Sequence, residues 1–592
     1  MSGTRSAMIN YNYYASITLA VAAGLGQEFE SSILVMHVWT SACGVRKHQL
    51  GTGIRSAEMA SVLVIVLCMN QIFGASAKWN VTCPMTNGER CMSCTKLKQL
   101  EVQIAAAQKT LDDLVEQHRG VRSQVNRAHD PISYRLPSEI ASLIFQFYLP
   151  AVPPDGILAM KKQDRTAPLV LGAVCRYWRK IAWSTPQLWS LLSIHAGKLD
   201  SSMLLELSRE WLDRSCLLPV SIGLYVSPSR VTDFGHLKWL DMAYSLCELV
   251  NQHSNRWQML DISVPGSLFP RFRGTWDEHS LLQSLRLSNT DQALGEENFD
   301  VHDLKPSPTQ LVLDYVSLNV VEIEWNALTH ITVAGIAPAD CLWVMVHCPY
   351  LRFCKFKIET KVPVGNGDVI VHDQLRQLML DIEDPSAVYF FRSIGFPSLE
   401  SLELHCSRLF PANHISVMFT NSSPRPLKKF AIRAMDMEQD KLISILQTLP
   451  SLQHLEINVI KDKAPSPDAL LRLLGATSIT NFPSQNVPDF LPALRYFAYH
   501  RPNSSTGYVW SLVPQIFGRL SDLEDPRRRP LKKVSLLYGC SESEPRTYIS
   551  KKSLPLYLAL LDKGLDLTIC FGEGGLDFVS LSAHHQAMGN RA

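Results

Sequence analysis

The sequence lacks the short motifs that mark common catalytic and metal sites. It contains no Gly-x-Ser-x-Gly, no His-Glu-x-x-His and no phosphate-binding loop ending in Lys-Ser or Lys-Thr, and its eighteen histidines show no ligand-like pairing. Each of these patterns places a nucleophile, a metal ion or a phosphate in a defined geometry. The sequence therefore predicts a protein that is not an enzyme and that carries no cofactor.

Charge of one sign is also scarce. Lys and Arg total 57 and Asp and Glu total 55, which leaves a formal net charge of +2. A value so near zero creates no long-range field toward nucleic acid or an anionic membrane. A basic run could be a nuclear signal, a phosphate-contacting patch or a solvated face, and the solvated face is the preferred interpretation. This run comprises Arg527, Arg528, Arg529, Lys532 and Lys533.

Cysteine is too sparse and too irregularly spaced for a disulfide framework. Fourteen cysteines are scattered over 592 residues, which suits buried thiols in a reducing compartment such as the cytoplasm or the nucleus. Cys83, Cys91 and Cys94 resemble part of a zinc site, but a tetrahedral site needs four ligands and no second pair follows at the usual spacing. We expect ordinary thiols and no metal.

One long hydrophobic run occurs, at residues 59–77. It is long enough to cross a bilayer or to act as the core of a signal peptide. Asn70 and Gln71 interrupt it, it begins too deep for an ordinary signal peptide, and few charges flank it. We expect residues 1–90 to be a poorly ordered extension or an over-extended gene reading, with Met85 or Met92 as the start; a membrane segment is the disfavoured alternative.

A heptad pattern follows, in a segment without proline. Alternating steps of three and four residues place the residues of this pattern on one narrow stripe of a helix. Such a stripe pairs with another helix. The partner is either a second copy or a helix of the same chain; an amphipathic helix lying on its own domain is an equally weighted alternative. The stripe comprises Leu97, Leu100, Ile104, Ala107, Leu111, Leu114, His118, Val121 and Val125.

Residues 130–195 predict a compact unit of three short helices. Pro131 ends the heptad helix, because proline lacks an amide donor and restricts the residue before it. The first helix of the unit begins at Pro137, with Glu139 in its first turn, where the helix dipole favours an anion. Ile140 and Ile144 continue it at helical spacing.

The second and third helices of this unit follow a largely polar loop at residues 153–165. The pattern predicts one helix over residues 167–178, with Leu171, Val174, Cys175 and Trp178 on one face. Thr185 is the predicted cap of a third short helix that starts at Pro186. That helix presents Leu188 and Trp189.

After residue 196 the chain changes to short runs of the form Leu-x-x-Leu-x-Leu. From Leu328 the successive offsets are 23, 24, 24, 28, 25 and 42 residues, with helical segments such as 440–449 between runs. A strand-plus-helix unit repeating every 20 to 29 residues is typical of a leucine-rich-repeat solenoid. The runs begin at Leu282, Leu328, Leu351, Leu375, Leu399, Leu427, Leu452 and Leu494.

Three motifs of the helical unit together resemble one family. They are Leu-Pro-x-Glu-Ile from residue 136, Cys-Arg-x-Trp-Arg-x-Ile-Ala from residue 175 and Ser-Thr-Pro-x-Leu-Trp from residue 184. With the Cys-x-x-Cys at Cys91 and the heptad helix, residues 91–195 resemble the F-box-like proteins abundant in mushroom-forming fungi. Ala141, where leucine is usual, and the long loop after Pro150 depart from compact F-boxes.

This resemblance implies a partner and a set of contact residues. F-box helices bind a Skp-type adaptor on a cullin scaffold, and the domain that follows captures an unknown protein for ubiquitin transfer. The implied function is substrate recognition for such a ubiquitin ligase; the alternative is a non-degradative scaffold that acts through the heptad helix and the repeats. The implied adaptor-binding residues are Leu136, Pro137, Ile140, Ile144, Leu171, Val174, Cys175, Trp178, Leu188 and Trp189.

The expected fold class is α+β with a solenoid. It consists of an N-terminal heptad helix, a small all-α F-box and an α/β leucine-rich-repeat-like region. The expected domains are an extension at 1–90, the heptad helix at 91–129, the F-box-like domain at 130–195, the solenoid at 196–575 and a flexible tail at 576–592.

Overall fold

The structure is a computed structural model that describes most of the chain after residue 90. The long apolar run at residues 59–77 and Cys83 lie outside the described residues. The described residues are 91–129, 132, 135–196, 201–227, 233–274, 280–291, 305–359, 368–383, 385–422, 426–461, 466–479, 489–502, 508–539, 545, 548–572 and 576–589.

The chain divides into two compact units, residues 1–124 and 125–592. In the described part of the first unit the chain forms one long helix, which continues to His129. At 1.5 Å per residue its 38 residues extend over roughly 57 Å. The helix covers the whole heptad pattern, and the side chains of that stripe are exposed to solvent.

The α-helices alternate with strands through most of the second unit. In chain order they are α1 (Met92–His129), α2 (Ser138–Phe147), α3 (Lys162–Arg165), α4 (Ala167–Val174), α5 (Arg176–Trp183), α6 (Ser201–Arg214), α7 (Asp233–Asn251), α8 (Pro338–His347), α9 (Ala412–Asn421), α10 (Gln439–Leu446), α11 (Asp468–Ala476), α12 (Leu554–Asp562) and α13 (Phe578–Gly589). Short 3-10 helices lie at Pro186–Trp189, Ser254–Arg256, Gly266–Arg271, Leu318–Val320, Trp325–Ala327, Pro385–Ser393, Pro514–Phe517 and Leu520–Asp522.

The strands follow the same chain order. They are β1 (Leu191–Ala196), β2 (Val220–Val226), β3 (Trp257–Val264), β4 (Ser284–Asn289), β5 (Gln310–Asp314), β6 (His330–Ile336), β7 (Phe353–Ile358), β8 (Ile370–Val371), β9 (Gln377–Ile382), β10 (Ile394–Gly395), β11 (Ser401–Leu409), β12 (Lys429–Asp436), β13 (His454–Val459), β14 (Tyr496–Arg501), β15 (Lys533–Tyr538), β16 (Asp566–Phe571) and β17 (Leu576–Asp577).

Within the described residues, fifteen of these strands form one sheet whose spatial order is the chain order, while β8 and β10 pair separately. Neighbouring strands are parallel throughout, and only β17 runs antiparallel, to β16. All eight predicted leucine runs coincide with strands, each starting two residues after the leading leucine, as β6 does after Leu328. The protein is therefore mixed α/β with a long, mostly parallel sheet.

One face of the sheet is the core. Alternate residues of most strands of the large sheet are buried, and strand pairing aligns them in continuous rows that the helices cover. Burying one such side chain contributes roughly 2 kcal/mol. One row consists of Leu192, Ile222, Leu260, Leu285, Leu311, Ile331, Cys354, Leu378, Leu402, Phe430, Leu455, Phe497, Val534 and Leu567.

The end of the chain differs from the expected flexible tail. Residues 576–589 form β17 and α13, and Phe578 and Ser582 are fully buried. The ring of Phe578 lies 4.7 Å from that of Trp510 and 5.2 Å from that of Tyr538. A strand at the end of a sheet leaves its backbone and apolar face uncovered. β17 pairs with the end of β16, and Phe578 at the start of α13 packs on the neighbouring aromatic rings.

The predicted basic run is not an open cationic surface. Arg527 is exposed and pairs with Asp525 at 2.7 Å, whereas Arg529 is almost completely buried. The Arg529 guanidinium donates hydrogen bonds of 2.8 to 3.0 Å to the carbonyl oxygens of Leu474, Thr477, Phe490 and Leu491. Burial lowers the pKa of Arg529 to about 10, so it remains cationic at neutral pH. Arg529 therefore ties together the segments around α11.

We expect Arg529→Met to destabilise the protein severely. The methionine side chain has no donor, so several buried carbonyl oxygens lose their hydrogen bonds, and the free energy of unfolding should fall by about 3 kcal/mol or more. Chemical denaturation followed by circular dichroism measures this loss. Arg527→Met is the matched control and should leave the unfolding midpoint unchanged. Equal midpoints for the two variants would contradict the anchoring role of Arg529.

Candidate functional site

The candidate site begins with the helical unit, residues 135–190. Helix α2 starts at Ser138, with Pro137 in the capping position, one residue later than the sequence pattern predicts. Ala141 and Phe145 of α2 face inward and are buried. The opposite side of α2 carries Ile140 and other apolar residues, so α2 is apolar on both its buried and its exposed side.

The single helix predicted over residues 167–178 is in fact two helices. Cys175 is extended, with φ −156° and ψ 172°, and separates α4 from α5. Its Sγ accepts the backbone N–H of Trp178 at 3.4 Å, which makes Cys175 the cap of α5. Arg179 Nε donates to the carbonyl oxygen of Gly172 at 2.8 Å, so an acceptor freed by the break is satisfied.

A close approach between α4 and α5 explains the glycine at position 172. A Cβ atom on Gly172 would lie 1.9 Å from the ring of Trp183. The Trp183 ring packs edge-on against Trp189, and the Trp189 ring packs edge-on against Trp211 of α6. The Trp189 indole donates to the carbonyl oxygen of Ala182 at 2.8 Å. These contacts join the helical unit to the start of the sheet.

Thr185 connects the helices of this unit rather than capping the following turn. Its hydroxyl donates to the carbonyl oxygen of Ile181 at 2.7 Å and lies 3.0 Å from the hydroxyl of Ser142. No side-chain cap is present on the 3-10 helix Pro186–Trp189. The hydroxyl is already engaged by the preceding helix, which is why the predicted cap does not form.

The ten residues implied by the family resemblance occupy three environments. Pro137, Ile140, Ile144 and Val174 are exposed, whereas Leu136, Cys175 and Trp178 are half-buried. The remaining three, Leu171, Leu188 and Trp189, are buried in the core. The buried side chains support the shape of the unit from inside, and only the exposed and half-buried ones are available to a partner.

Four exposed apolar side chains of α2, of Tyr148 just after it and of α4 line one pocket. The pocket is lined by Ile132, Ile144, Phe145, Tyr148, Val170, Leu171, Val174 and Trp178. We call the exposed apolar residues of α2 and α4, with Tyr148 just after α2, the apolar patch: Ile140, Leu143, Ile144, Phe147, Tyr148, Leu169, Val170 and Val174. An exposed apolar cluster of this kind marks an interaction surface.

Five members of the apolar patch are not among the residues implied by the resemblance: Leu143, Phe147, Tyr148, Leu169 and Val170. The sequence of α4 already indicates that some of its apolar side chains are exposed, because Ala-Pro-Leu-Val-Leu-Gly-Ala-Val contains no polar residue. A surface helix that is apolar all round must expose some of its apolar side chains. Which ones it exposes depends on the break at Cys175.

The segment that links α2 to α4 lies on the other face of the sheet. We call residues 153–165 the cover segment; it was expected to be a polar loop, but Ile157 and Met160 are buried and α3 forms its end. Ile157 packs against Gly223 of β2, where a Cβ would lie 2.8 Å from the Ile157 side chain. The N–H of Leu158 donates to Asp261 of β3 at 3.0 Å.

Two charged groups hold the cover segment in place. Arg286 Nη2 donates to the carbonyl oxygen of Pro154 at 2.9 Å, and its Nε lies 4.0 Å from Asp261. Asp261 is buried, and this burial raises its pKa. The cover segment therefore closes the non-core face at β2, β3 and β4, and it adds contacts between the helical unit and the sheet.

The same face of the sheet is open from β7 to β13, and most of its residues are polar. We call this surface the polar face. Polar contacts join neighbouring strands there: His405 Nδ1 lies 3.3 Å from Asp381, and Lys429 Nζ forms an ion pair with Glu403 at 2.5 Å. Among the described residues, neither Lys355 nor Arg433 has a carboxylate partner, and both are exposed.

A pocket on the polar face spans β7 to β13. Ala431 is small and sits between Glu403 and Glu456 in the strand register, which leaves a depression between two carboxylates. The pocket is lined by Lys355, Met379, Leu380, Asp381, Glu403, Leu404, His405, Lys429, Ala431, Ile432, Arg433, Glu456 and Asn458. Side chains of both signs suit a polypeptide partner, whose own charges vary along its length.

The described residues contain no group of three or more His, Cys, Asp or Glu side chains that could hold a metal ion. Burial raises the pKa of Cys247 and of Cys406 to about 12, so both thiols are protonated and unreactive at neutral pH. Cys91 is half-buried and Cys94 is exposed. No described helix has the length and apolar character needed to cross a membrane.

Comparison with known proteins adds little to this geometry. No protein-family model matches the chain, and no curated protein matches it. A crystal structure of a Bacteroides fragilis protein, solved as a structural-genomics target, is 14% identical; the match covers 42% of this chain and 66% of that protein, slightly less than two thirds, with a TM-score of 0.24. A likeness this weak carries no argument about fold or function.

The contact between the cover segment and β1 should be sensitive to acid. Burial and the nearby Arg165 lower the pKa of His195 to about 4, and the ring lies 5.7 Å from that of Tyr225. The unfolded chain binds this proton near pH 6.5, so the contribution of neutral His195 to stability is complete above pH 6.5 and is lost as the pH falls toward 4.

We therefore expect His195→Gln to lose less stability than the wild type between pH 6.5 and 4. Urea denaturation at pH 7.0, 6.0, 5.0 and 4.5 measures the free energy of unfolding of both proteins. The free energy of unfolding of the wild type should fall more steeply than that of the variant as the pH decreases across this window. Parallel curves would show that His195 titrates alike in the folded and unfolded chains, contrary to this prediction.

Proposed function

We propose that this protein is a substrate-recognition subunit of a Skp–cullin-type ubiquitin ligase, acting in the cytoplasm, the nucleus or both. The observation that carries the proposal is the apolar patch. The Leu-Pro-x-Glu-Ile motif leads into α2 and the Cys-Arg-x-Trp-Arg motif follows α4, and both helices contribute to this patch. A small helical unit that leaves eight apolar side chains exposed is suited to permanent or regulated contact with a partner.

The architecture after residue 196 supports a leucine-rich-repeat-like solenoid. The chain-ordered parallel strands and the repeated spacing near 24 residues in the middle of the sheet are what such a solenoid requires. In this proposal each strand-and-helix unit buries its apolar row against its neighbours. The polar face is then the surface that captures the target protein.

The position of the cover segment limits where a target can bind. Residues 153–165 occupy the non-core face at β2, β3 and β4. The pocket between β7 and β13 lies beyond it and is lined by Lys355 and Arg433, which have no carboxylate partner among the described residues. We therefore assign adaptor binding to the apolar patch and target binding to the polar face, two separate surfaces of the same compact unit.

The double variant Ile140→Asp, Ile144→Asp should lose binding to a Skp-type adaptor. Apolar anchors of an interface contribute about 2 kcal/mol or more each, so we expect at least a hundredfold weaker binding. Isothermal titration of the purified chain with a purified adaptor measures the change. Both side chains are exposed, so aspartate at these positions should leave the fold intact, which circular dichroism checks.

The matched control is Leu558→Asp on α12. Leu558 is 45% exposed, close to the 44% of Ile140, but it lies outside the apolar patch. This control should bind the adaptor as the wild type does. A folded double variant that binds with wild-type affinity would refute the assignment of the apolar patch, and a wild type that binds no adaptor would refute the proposed function itself.

The double variant Lys355→Glu, Arg433→Glu should lose the target and keep the adaptor. Reversing two free cations on the polar face creates repulsion toward any partner that contacts them through acidic groups. Partners of a true receptor accumulate when cullin neddylation is inhibited. Under this inhibition, quantitative affinity purification should recover about tenfold less of these partners with the variant than with the wild type. The amount of recovered adaptor should be the same for both.

Lys552→Glu, Lys563→Glu serves as the control for the change in net charge. Both lysines are exposed and lie outside the polar face, one just before α12 and one just after it. This control should recover the same partners as the wild type. If it loses the same partners as the polar-face variant, net charge rather than the polar face explains the result.

A second candidate function is a scaffold that delivers nothing to ubiquitin transfer. The exposed stripe of α1 favours it, because a stripe of this kind supports assembly by itself. The two functions differ in one observable result. Partners of a scaffold stay at constant abundance when neddylation is inhibited, whereas targets of a receptor rise.

A further inference from the structure

Helix α1 carries an apolar stripe that no described part of the chain covers. Its large apolar members are between 46% and 63% exposed, and Ala107 and His118 within the stripe are exposed as well. The helix is 38 residues long and contains no proline. A single stripe this narrow is the contact surface of a two-stranded coiled coil.

The stripe assigns heptad positions along α1. The steps of three and four residues separate positions a and d of each heptad. Position a is held by Leu97, Ile104, Leu111, His118 and Val125, and position d by Leu100, Ala107, Leu114 and Val121. Every layer except one is therefore apolar, and that one contains His118.

The histidine layer selects the register of pairing. In a parallel pair with no shift, His118 of one copy faces His118 of the second copy, so the two polar rings share one layer. A shift of one heptad would place His118 against Leu111 or Val125 and bury a polar ring in an apolar layer, which costs stability. A single polar layer at position a specifies register in this way.

The position of His118, together with the flanking charges, favours the parallel orientation. Lys96 is at position g and Glu101 at position e, and parallel pairing brings Lys96 of each copy to Glu101 of the other. By symmetry this attractive contact forms twice. One antiparallel register places His118 against Leu100 and gives no attractive charge pair. The other places Glu101 near Arg122 but His118 against Ala107, so in both antiparallel registers the polar ring is buried against an apolar side chain.

We propose that α1 forms a parallel, in-register, two-stranded coiled coil with α1 of a second copy of this chain. The interface consists of eight apolar layers and one His118 layer. The dimer presents two helical units and two polar faces in one assembly. This inference stands independently of adaptor binding, because none of its residues belongs to the apolar patch.

Sedimentation equilibrium of the full chain tests the dimer. The wild type should sediment at twice the 66.4 kDa mass of one chain. Ile104→Lys, Leu111→Lys places lysines opposite each other at two a layers and should sediment as a monomer. Lysine is a good helix former, so the helix itself should persist. Gln99→Lys, Val102→Lys adds the same charge on the outer positions c and f and should remain a dimer.

Two further variants test the geometry. His118→Leu replaces the polar layer with an apolar one and should tighten the dimer at least tenfold. Leu100→Cys places a thiol at position d, where oxidation should join identical positions of a parallel pair. In either antiparallel register those thiols would be separated by roughly 27 Å or more, because position 100 faces a position at least 18 residues further along the partner helix. Wild-type chain oxidised in parallel controls for the native cysteines.

The proposal is overturned if the wild type sediments as a monomer, or if Ile104→Lys, Leu111→Lys remains a dimer. A weaker dimer for His118→Leu, or absence of the Leu100→Cys cross-link in a proven dimer, overturns the parallel in-register geometry. Ile140→Asp, Ile144→Asp should sediment as a dimer, which separates failure of this interface from failure of adaptor binding.

Discussion

Parallel pairing between consecutive strands is the constraint on which this structure depends. Each strand presents its apolar residues on one face only, and a single strand with its helix is too small to bury them. The row that runs from Leu192 to Leu567 is buried because every strand continues the row of its neighbour. The opposite face is released from packing, so its residues can be polar and can differ from strand to strand.

The two ends of such a sheet have to be closed, and the protein closes them differently. At the C-terminal end β17 and α13 cover the last strands, with Phe578 in contact with Trp510 and Tyr538. At the N-terminal end the helical unit packs through Trp189 and Trp211, and the cover segment occupies the polar side. The N-terminal closure thus also fixes the orientation of the apolar patch relative to the polar face.

Patterns within a short stretch of sequence could be interpreted reliably, and patterns that depend on distant contacts could not. The leucine runs mark strands because spacing by two residues is a local property of a strand. β1, β2, β3 and β5 do not carry the leading pattern and were not predicted. β15 starts two residues after Leu531 and carries it, but it was not predicted either. The break at Cys175 was also missed, because both halves of residues 167–178 fit one helix and only Arg179 and Trp183 packing on Gly172 separates them.

The sequence by itself determined the α1 stripe, most strands of the sheet and the motifs of the helical unit, since each follows from the order of polar and apolar side chains along a few turns. Only the tertiary structure decided which apolar residues remain exposed. Leu171, Leu188 and Trp189 are buried while Leu143 and Phe147 are not, and Arg529 is a buried anchor within a run that looks solvated. Burial depends on what packs from elsewhere in the chain, and local periodicity does not contain that information.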